Sequence, residues 1–218
     1  VGQWWGVQHT LYNMGAVPPI TAWLLVAMVL AGALFGWTAK WFADGTHALS
    51  ALMKKHIAYA PLRPLLGGAV IATAVMWGNF DRYIGLGIPV MEEAFTHSLA
   101  PTDFLGKMVF TIASLGSGFK GGEVTPLFYI GATLGNALAP LLDVPFALLA
   151  GIGFVAVFAG AANTPIASTL MAMELFGAEI GVFACLACVM SYVCSGHSGI
   201  YRAQRVAHRK AHTLAQPS

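Results

Sequence analysis

Gly116-Ser117-Gly118-Phe119-Lys120-Gly121-Gly122-Glu123-Val124-Thr125-Pro126 runs straight into a long apolar stretch, 127–142. Glycines remove side chains, so backbone N–H groups can come close to a ligand. Pro126 suits the first turn of a helix, where its missing N–H leaves no bond unmade. A glycine-rich segment feeding a helix start presents free N–H donors and the positive end of the helix dipole. That arrangement attracts anions without burying a full positive charge. A nucleotide-phosphate loop is excluded, because the pattern G-x-x-x-x-G-K-[ST] is absent and no strand precedes it.

Working outward, the chain suits lipid better than water. Of its 218 residues, 57% are hydrophobic and only 9% charged, whereas soluble domains carry about 25% charged residues. Mean hydropathy is +0.71. The stretch 20–37 reads as a spanning helix entered through Pro18-Pro19, and 65–80 reads as a second. Between them, Leu49, Leu52 and Met53 follow a helical period, which predicts a separate amphipathic segment over 44–56 lying on the membrane surface. From there on the apolar runs are short and broken by Gly and Pro: 85–95, 104–115, 124–142, 146–162, 166–176 and 180–195. Period-two alternation is absent, so strands are not expected. Several of these helices are too short to cross ~30 Å of hydrocarbon at 1.5 Å per residue. Broken helices of this kind mark transport sites, where irregular backbone lines a cavity. The fold class is therefore all-α, a polytopic membrane protein with short broken helices.

Charge and chemistry narrow the function. A net charge of +2 is too small to suggest nucleic acid. Lys54 and Lys55, and the cluster Arg202, Arg205, Arg209 and Lys210, place their segments on the cytoplasmic side by the positive-inside rule. Residues 1–201 thus read as membrane helices and 202–218 as a basic cytoplasmic tail, in a protein of the plasma (inner) membrane. Cys185, Cys188 and Cys194 share one apolar run and read as packing residues. No metal site is expected. Neither H-E-x-x-H nor G-x-S-x-G occurs and the histidines are scattered, which argues against an enzyme.

Three stretches, in order, resemble motifs of the CLC chloride channel and exchanger family. The 116–126 run is similar to its second filter motif, G-G-x-F-x-P, which leads into a helix ending in a Gly-containing turn. Ala162-Asn163-Thr164-Pro165-Ile166-Ala167, with Glu174 later, is similar to its [RN]-x-P-[LI]-[AT] segment. Ser198-Gly199-Ile200-Tyr201 is similar to the loop that carries its pore tyrosine. The resemblance implies the second of two inverted repeats, with helix N-termini aimed at a central anion. It implies anion contacts around Gly122, from the N–H groups of Glu123 and Val124, and from the Tyr201 hydroxyl. It also implies chloride as the transported ion, no cofactor, and a homodimer of the complete protein.

The match has departures. Val124 stands where the family usually has phenylalanine. Lys120 offers electrostatic attraction for anions. Glu123 is a carboxylate where an apolar residue is usual, and three roles are open to it: plugging the site, relaying protons, or pairing with Lys120. Gly85-Leu86-Gly87-Ile88-Pro89 is similar to the family's first-repeat filter, but Leu86 replaces its serine, so no ligand role is carried over. The first repeat's gating motif G-[RK]-E-G-P is not found. A missing N-terminal half or a partner chain is therefore expected, and passive channel and proton-coupled exchanger stay equally open. The competing reading is an unrelated broken-helix transporter of a small organic anion.

Overall fold

The computed structural model describes residues 17–78, 80–196 and 199–201. Among these residues, eight α-helices run in chain order: α1 (Ala22–His56), α2 (Leu62–Gly78), α3 (Ile88–Glu93), α4 (Asp103–Gly116), α5 (Val124–Leu142), α6 (Phe146–Ala162), α7 (Pro165–Phe176) and α8 (Gly181–Cys194). Two 3-10 turns, Asp81–Tyr83 and Ala178–Ile180, precede α3 and α8, and no strand occurs among the described residues.

Local chemistry sets most boundaries. Thr21 is extended and its hydroxyl accepts from the Leu24 N–H at 3.2 Å, which caps the start of α1. Lys54, Lys55 and His56 occupy the last turn of α1, where cations suit the negative end of the dipole. Asn163 turns the chain with φ 59°, a conformation asparagine tolerates, and Pro165 opens α7 immediately after. The Ala-Asn-Thr-Pro motif is thus a stop followed by a start.

One sequence expectation needs correction. Segment 44–56 is not a separate surface piece, because α1 continues through it for 35 residues, about 52 Å at 1.5 Å per residue. Asp44 and Gly45 fail to break the helix because it packs on α4: Gly45 lies against Ile112, and Leu49 against Gly116. The expected run 124–142, by contrast, is α5. It runs through Gly131 and Gly135 to Leu142, since both glycines meet a neighbouring helix rather than a turn.

The core is built around α6, which is apolar on every face, buried along nearly its whole length, and touched by α1, α5, α7 and α8. Close approach depends on small residues. A Cβ on Gly131 would collide with the Gly153 carbonyl, and one on Gly135 with that of Leu149, so α5 meets α6 backbone to backbone. Gly32 and Gly36 of α1 do the same against Ala187 and Ser191 of α8. This is the small-xxx-small packing of membrane helices, where close contact replaces the hydrophobic drive that lipid does not supply. Phe128 stacks on Phe154 at 4.1 Å and Phe154 meets Phe176 edge-on at 5.8 Å, filling the space between α5, α6 and α7. Helices α1 and α5 are long and apolar enough to cross a membrane. Helix α2 is peripheral, with only Gly67 buried.

Of the three thiols, which are all free, Cys188 is buried as a packing residue. Cys185 is exposed instead, because it lies on the outer face of α8.

Candidate functional site

The loop 117–123 delivers the chain into α5 with Gly118 at φ 100°, a left-handed conformation that suits glycine. Val124 is the first helical residue and Glu123 caps the helix without a side-chain bond to it. The first return bond is from the Leu127 N–H to the Glu123 carbonyl at 3.3 Å. Helix geometry therefore leaves the N–H groups of Val124 and Thr125 without an acceptor inside α5. Around Gly121 and Gly122 the structure is open, with nothing within 4 Å of where a side chain would stand.

This loop borders a cavity of about 410 Å³ whose wall includes Thr46, His47, Lys54, Lys120, Glu123 and Ile200. Segments distant in sequence meet there: α1, the end of α4 with the glycine loop that follows it, and the segment 199–201. That segment is fixed by two contacts. Its Ile200 N–H donates to the Ala161 carbonyl at 3.0 Å, and its Gly199 carbonyl lies 2.9 Å from His47 Nε2. A second cavity of about 200 Å³ also touches the loop at Gly121 and Gly122 and the first turn of α5 at Pro126, and is bounded by Lys107 and Tyr83.

The expected site residues distribute as follows. Lys120 and Glu123 line the larger cavity, and Gly122 lines the smaller. Val124 lies at the start of α5 and borders neither. Tyr201 is 48% exposed and follows Ile200, which does line the larger cavity. The helix expected after Tyr201, the basic tail with Arg202, Arg205, Arg209 and Lys210, and Ser198 all lie outside the described residues. Lys120 and Glu123 form no ion pair: the ion pairs among the described residues join Arg82 to Glu93 and Asp103. Among the described residues, His47 lies within electrostatic range of Glu123. Gly85 and Gly87 are left-handed, at φ 62° and 71°, and lead into the six-residue α3, whose Gly87 is pressed on the Tyr129 ring.

Three polar residues escaped the sequence reading. His47 was hidden in an amphipathic pattern whose partner surface was unknown. Lys107 interrupts the apolar run 104–115 and is 2% exposed; its ammonium donates to the carbonyls of Gly85 at 2.6 Å and Tyr83 at 3.1 Å. Asn136, fully buried, accepts from the Leu99 N–H at 2.9 Å and donates to the carbonyls of Ala94 and His97, both at 2.7 Å. A lone charged or amide residue inside an apolar run was the available signal for the last two.

The model of the family described as voltage gated chloride channel matches residues 1–196. The chain belongs to this family. A chloride/fluoride channel protein of Pseudomonas syringae pv. tomato is 61% identical over 219 residues, covering 97% of this chain and 48% of that protein. A voltage-gated ClC-type chloride channel, ClcB, of Salmonella typhi is 28% identical over 205 residues, covering 85% of this chain and 47% of its own. Among solved structures, a CLC-type fluoride/proton antiporter superposes with a TM-score of 0.87 at 31% identity, over 92% of this chain and 51% of that one. A slow cyanobacterial Cl-/H+ antiporter superposes with a TM-score of 0.71 at 18% identity, which speaks for the fold alone. The chain spans about half the length of the relatives it matches. Membership in the voltage gated chloride channel family places it among integral membrane proteins, and makes the all-helical fold with interrupted helices that of a CLC transport protein.

Proposed function

We propose that this chain forms the second half of a transporter that carries small halide anions, chloride or fluoride, across a membrane. The observation that carries the reading is the shared cavity. The glycine loop ahead of α5 and the segment leading to Tyr201 wall one space together with Lys54 and Lys120. Donor N–H groups at a helix start hold an anion by partial charges, which also lets it leave. Two lysines raise the local anion concentration. Gly122, Glu123 and Val124 supply the backbone donors, Tyr201 supplies a hydroxyl, and a segment beyond this sequence supplies the other wall. The complete protein works as a homodimer in the inner membrane with its basic tail in the cytoplasm.

Coupling to protons is favoured over passive flow by Glu123. A carboxylate on the cavity wall competes with the permeant anion for the same donors when charged and releases them when protonated. The test is efflux of chloride and of fluoride from vesicles holding the complete protein, with an electrode for each ion and a dye for internal pH. Halide efflux with stoichiometric proton uptake supports exchange, and efflux without it supports a channel. Vesicles that release neither halide refute the transport reading. An organic-anion substrate is disfavoured, because the relatives are named for halides.

A further inference from the structure

Lys107 is buried in the apolar helix α4, and no carboxylate among the described residues lies within ion-pair distance of it. Asp103, one turn earlier on α4, is engaged by Arg82 at 3.0 Å and by the Tyr83 hydroxyl at 2.9 Å. Partial charges hold the Lys107 ammonium instead. It donates to the carbonyls of Gly85 and Tyr83 and stands 5.0 Å from the centre of the Tyr129 ring, whose face attracts cations. An ionisable group at membrane depth is costly, and where it lines a cavity it marks the path of an ion.

Lys107 does line a cavity. Among the described residues it is the one charged side chain on the wall of the smaller space, which it shares with Gly121 and Gly122. Gly121 also borders the larger cavity, so the glycine loop faces both. Nothing lies within 4 Å of where side chains at Gly121 or Gly122 would stand, which leaves the backbone there open to the field of a nearby charge. Lys54 and Lys120 are exposed, so salt screens them, whereas a buried ammonium is screened much less. Two of the three hydrogens of Lys107 are taken by carbonyls, so its effect on an anion comes from its charge and not from direct contact.

We propose that Lys107 is the fixed positive charge behind the glycine loop: its buried ammonium strengthens halide binding at the start of α5 through its field, from the side opposite to Glu123. This rests on the transport reading above. The two carbonyls and the Tyr129 ring keep the charge in place without cancelling it, as a carboxylate partner would. A carboxylate added to the same cavity wall therefore weakens halide binding as removal of Lys107 does.

The experiment is calorimetric titration of the complete protein with sodium chloride and sodium fluoride at neutral pH. Lys107→Gln keeps an N–H donor for the carbonyls and loses the charge; it should bind both halides about tenfold more weakly. Lys107→Arg keeps the charge and should stay within about threefold of wild type. A second pair leaves Lys107 and its bonds untouched. Thr111, one turn further along α4, lines the same cavity and is buried. Thr111→Asp and Thr111→Asn have the same shape and differ in charge, so Thr111→Asp should bind about tenfold more weakly than Thr111→Asn, a difference that loss of packing alone does not produce. Wild-type affinity in Lys107→Gln, or equal affinities in the Thr111 pair, overturns the proposal, and the Thr111 pair decides where Lys107→Gln fails to fold. A wild-type protein that neither binds nor releases halide removes the transport reading and this inference with it, whereas normal wild-type binding with unaffected variants removes only this one.

Discussion

Gly131 of α5 and Gly153 of α6 face each other so closely that each carbonyl occupies the place where the other's Cβ would stand. The helix that opens at the glycine loop is thereby seated on the central helix by backbone contact. Its start is held in place by residues far from it.

Gly131→Ala or Gly153→Ala should therefore destabilise the complete protein by about 1–3 kcal/mol, the usual range for overpacking. Gly121→Ala makes the control, since nothing lies within 4 Å of its added methyl. Thermal unfolding in detergent is the measurement. Equal midpoints for all three variants would mean that α5 and α6 separate easily.

Asn136 satisfies three backbone groups of the segment 94–99 at once. Asn136→Leu keeps the volume but strands those groups, and each buried polar group left unpaired costs about 1–3 kcal/mol. Asn136→Asp should also destabilise near neutral pH, because a carboxylate can accept from Leu99 but cannot donate to Ala94 or His97. Hydrogen exchange of the Leu99 amide would report the loss directly. Unaltered protection in Asn136→Leu would show that the segment is held by packing instead.

These two contacts also show where sequence reading reaches its limit. The start of α5 at Val124 and the turn at Asn163-Thr164-Pro165 are legible because capping and proline chemistry are local. The glycines are legible as glycines but ambiguous in purpose: Gly118 turns the chain, whereas Gly131 and Gly135 admit another helix. Only tertiary packing separates the two uses. The same holds for 44–56, where Gly45 suggests a break and contact with Ile112 prevents one. At the site, Glu123 and Lys120 stand out by their chemistry, and Lys120 is the nearest cation in sequence that Glu123 could pair with. His47 is 76 positions away and reaches it through the fold, and no local pattern encodes that.

Asp103 is 1% exposed, pairs with Arg82 at 3.0 Å and accepts from the Tyr83 hydroxyl at 2.9 Å. The two ends of this ion pair should respond unequally. Arg82→Met leaves a buried carboxylate with a single donor, whereas Asp103→Asn leaves a guanidinium that is 40% exposed and can hydrate. The first should cost more, within the ~3–5 kcal/mol typical of a broken buried pair, and the second distinctly less. Denaturant unfolding of both variants would decide, and the reverse order would mean that Asp103 is held by Tyr83 alone.

Tyr201→Phe removes one hydroxyl and little else. If that hydroxyl contacts the anion, halide binding by the complete protein should weaken by about 1–3 kcal/mol, the range for a hydrogen bond to a charged group. Calorimetry with chloride and with fluoride measures it. Unchanged affinity for both ions would take Tyr201 out of the site and leave the α5 start as its principal donor.

Glu123 carries the sharpest choice. As a tethered anion it competes with the permeant ion for the N–H groups at the start of α5, because both want the same donors. On that account Glu123→Gln raises halide affinity, since the amide no longer competes as an anion. It also flattens the acid limb of the pH–flux curve, since protonation of the carboxylate no longer opens the site. The alternative is a structural carboxylate on the cavity wall, held by its interaction with His47. A partly solvated pair of that kind contributes at most ~1 kcal/mol, so the substitution would lower stability slightly and spare flux. Lys120→Gln separates the cases further. It should reduce flux at low ionic strength and recover at high salt if Lys120 acts by long-range attraction, without moving the pH profile that Glu123 sets. The measurement is halide efflux from vesicles holding the complete protein, wild type beside both variants, across acid and neutral pH. Superimposable pH profiles for wild type and Glu123→Gln would leave the carboxylate structural, and a flattened profile with tighter binding would make it the gate.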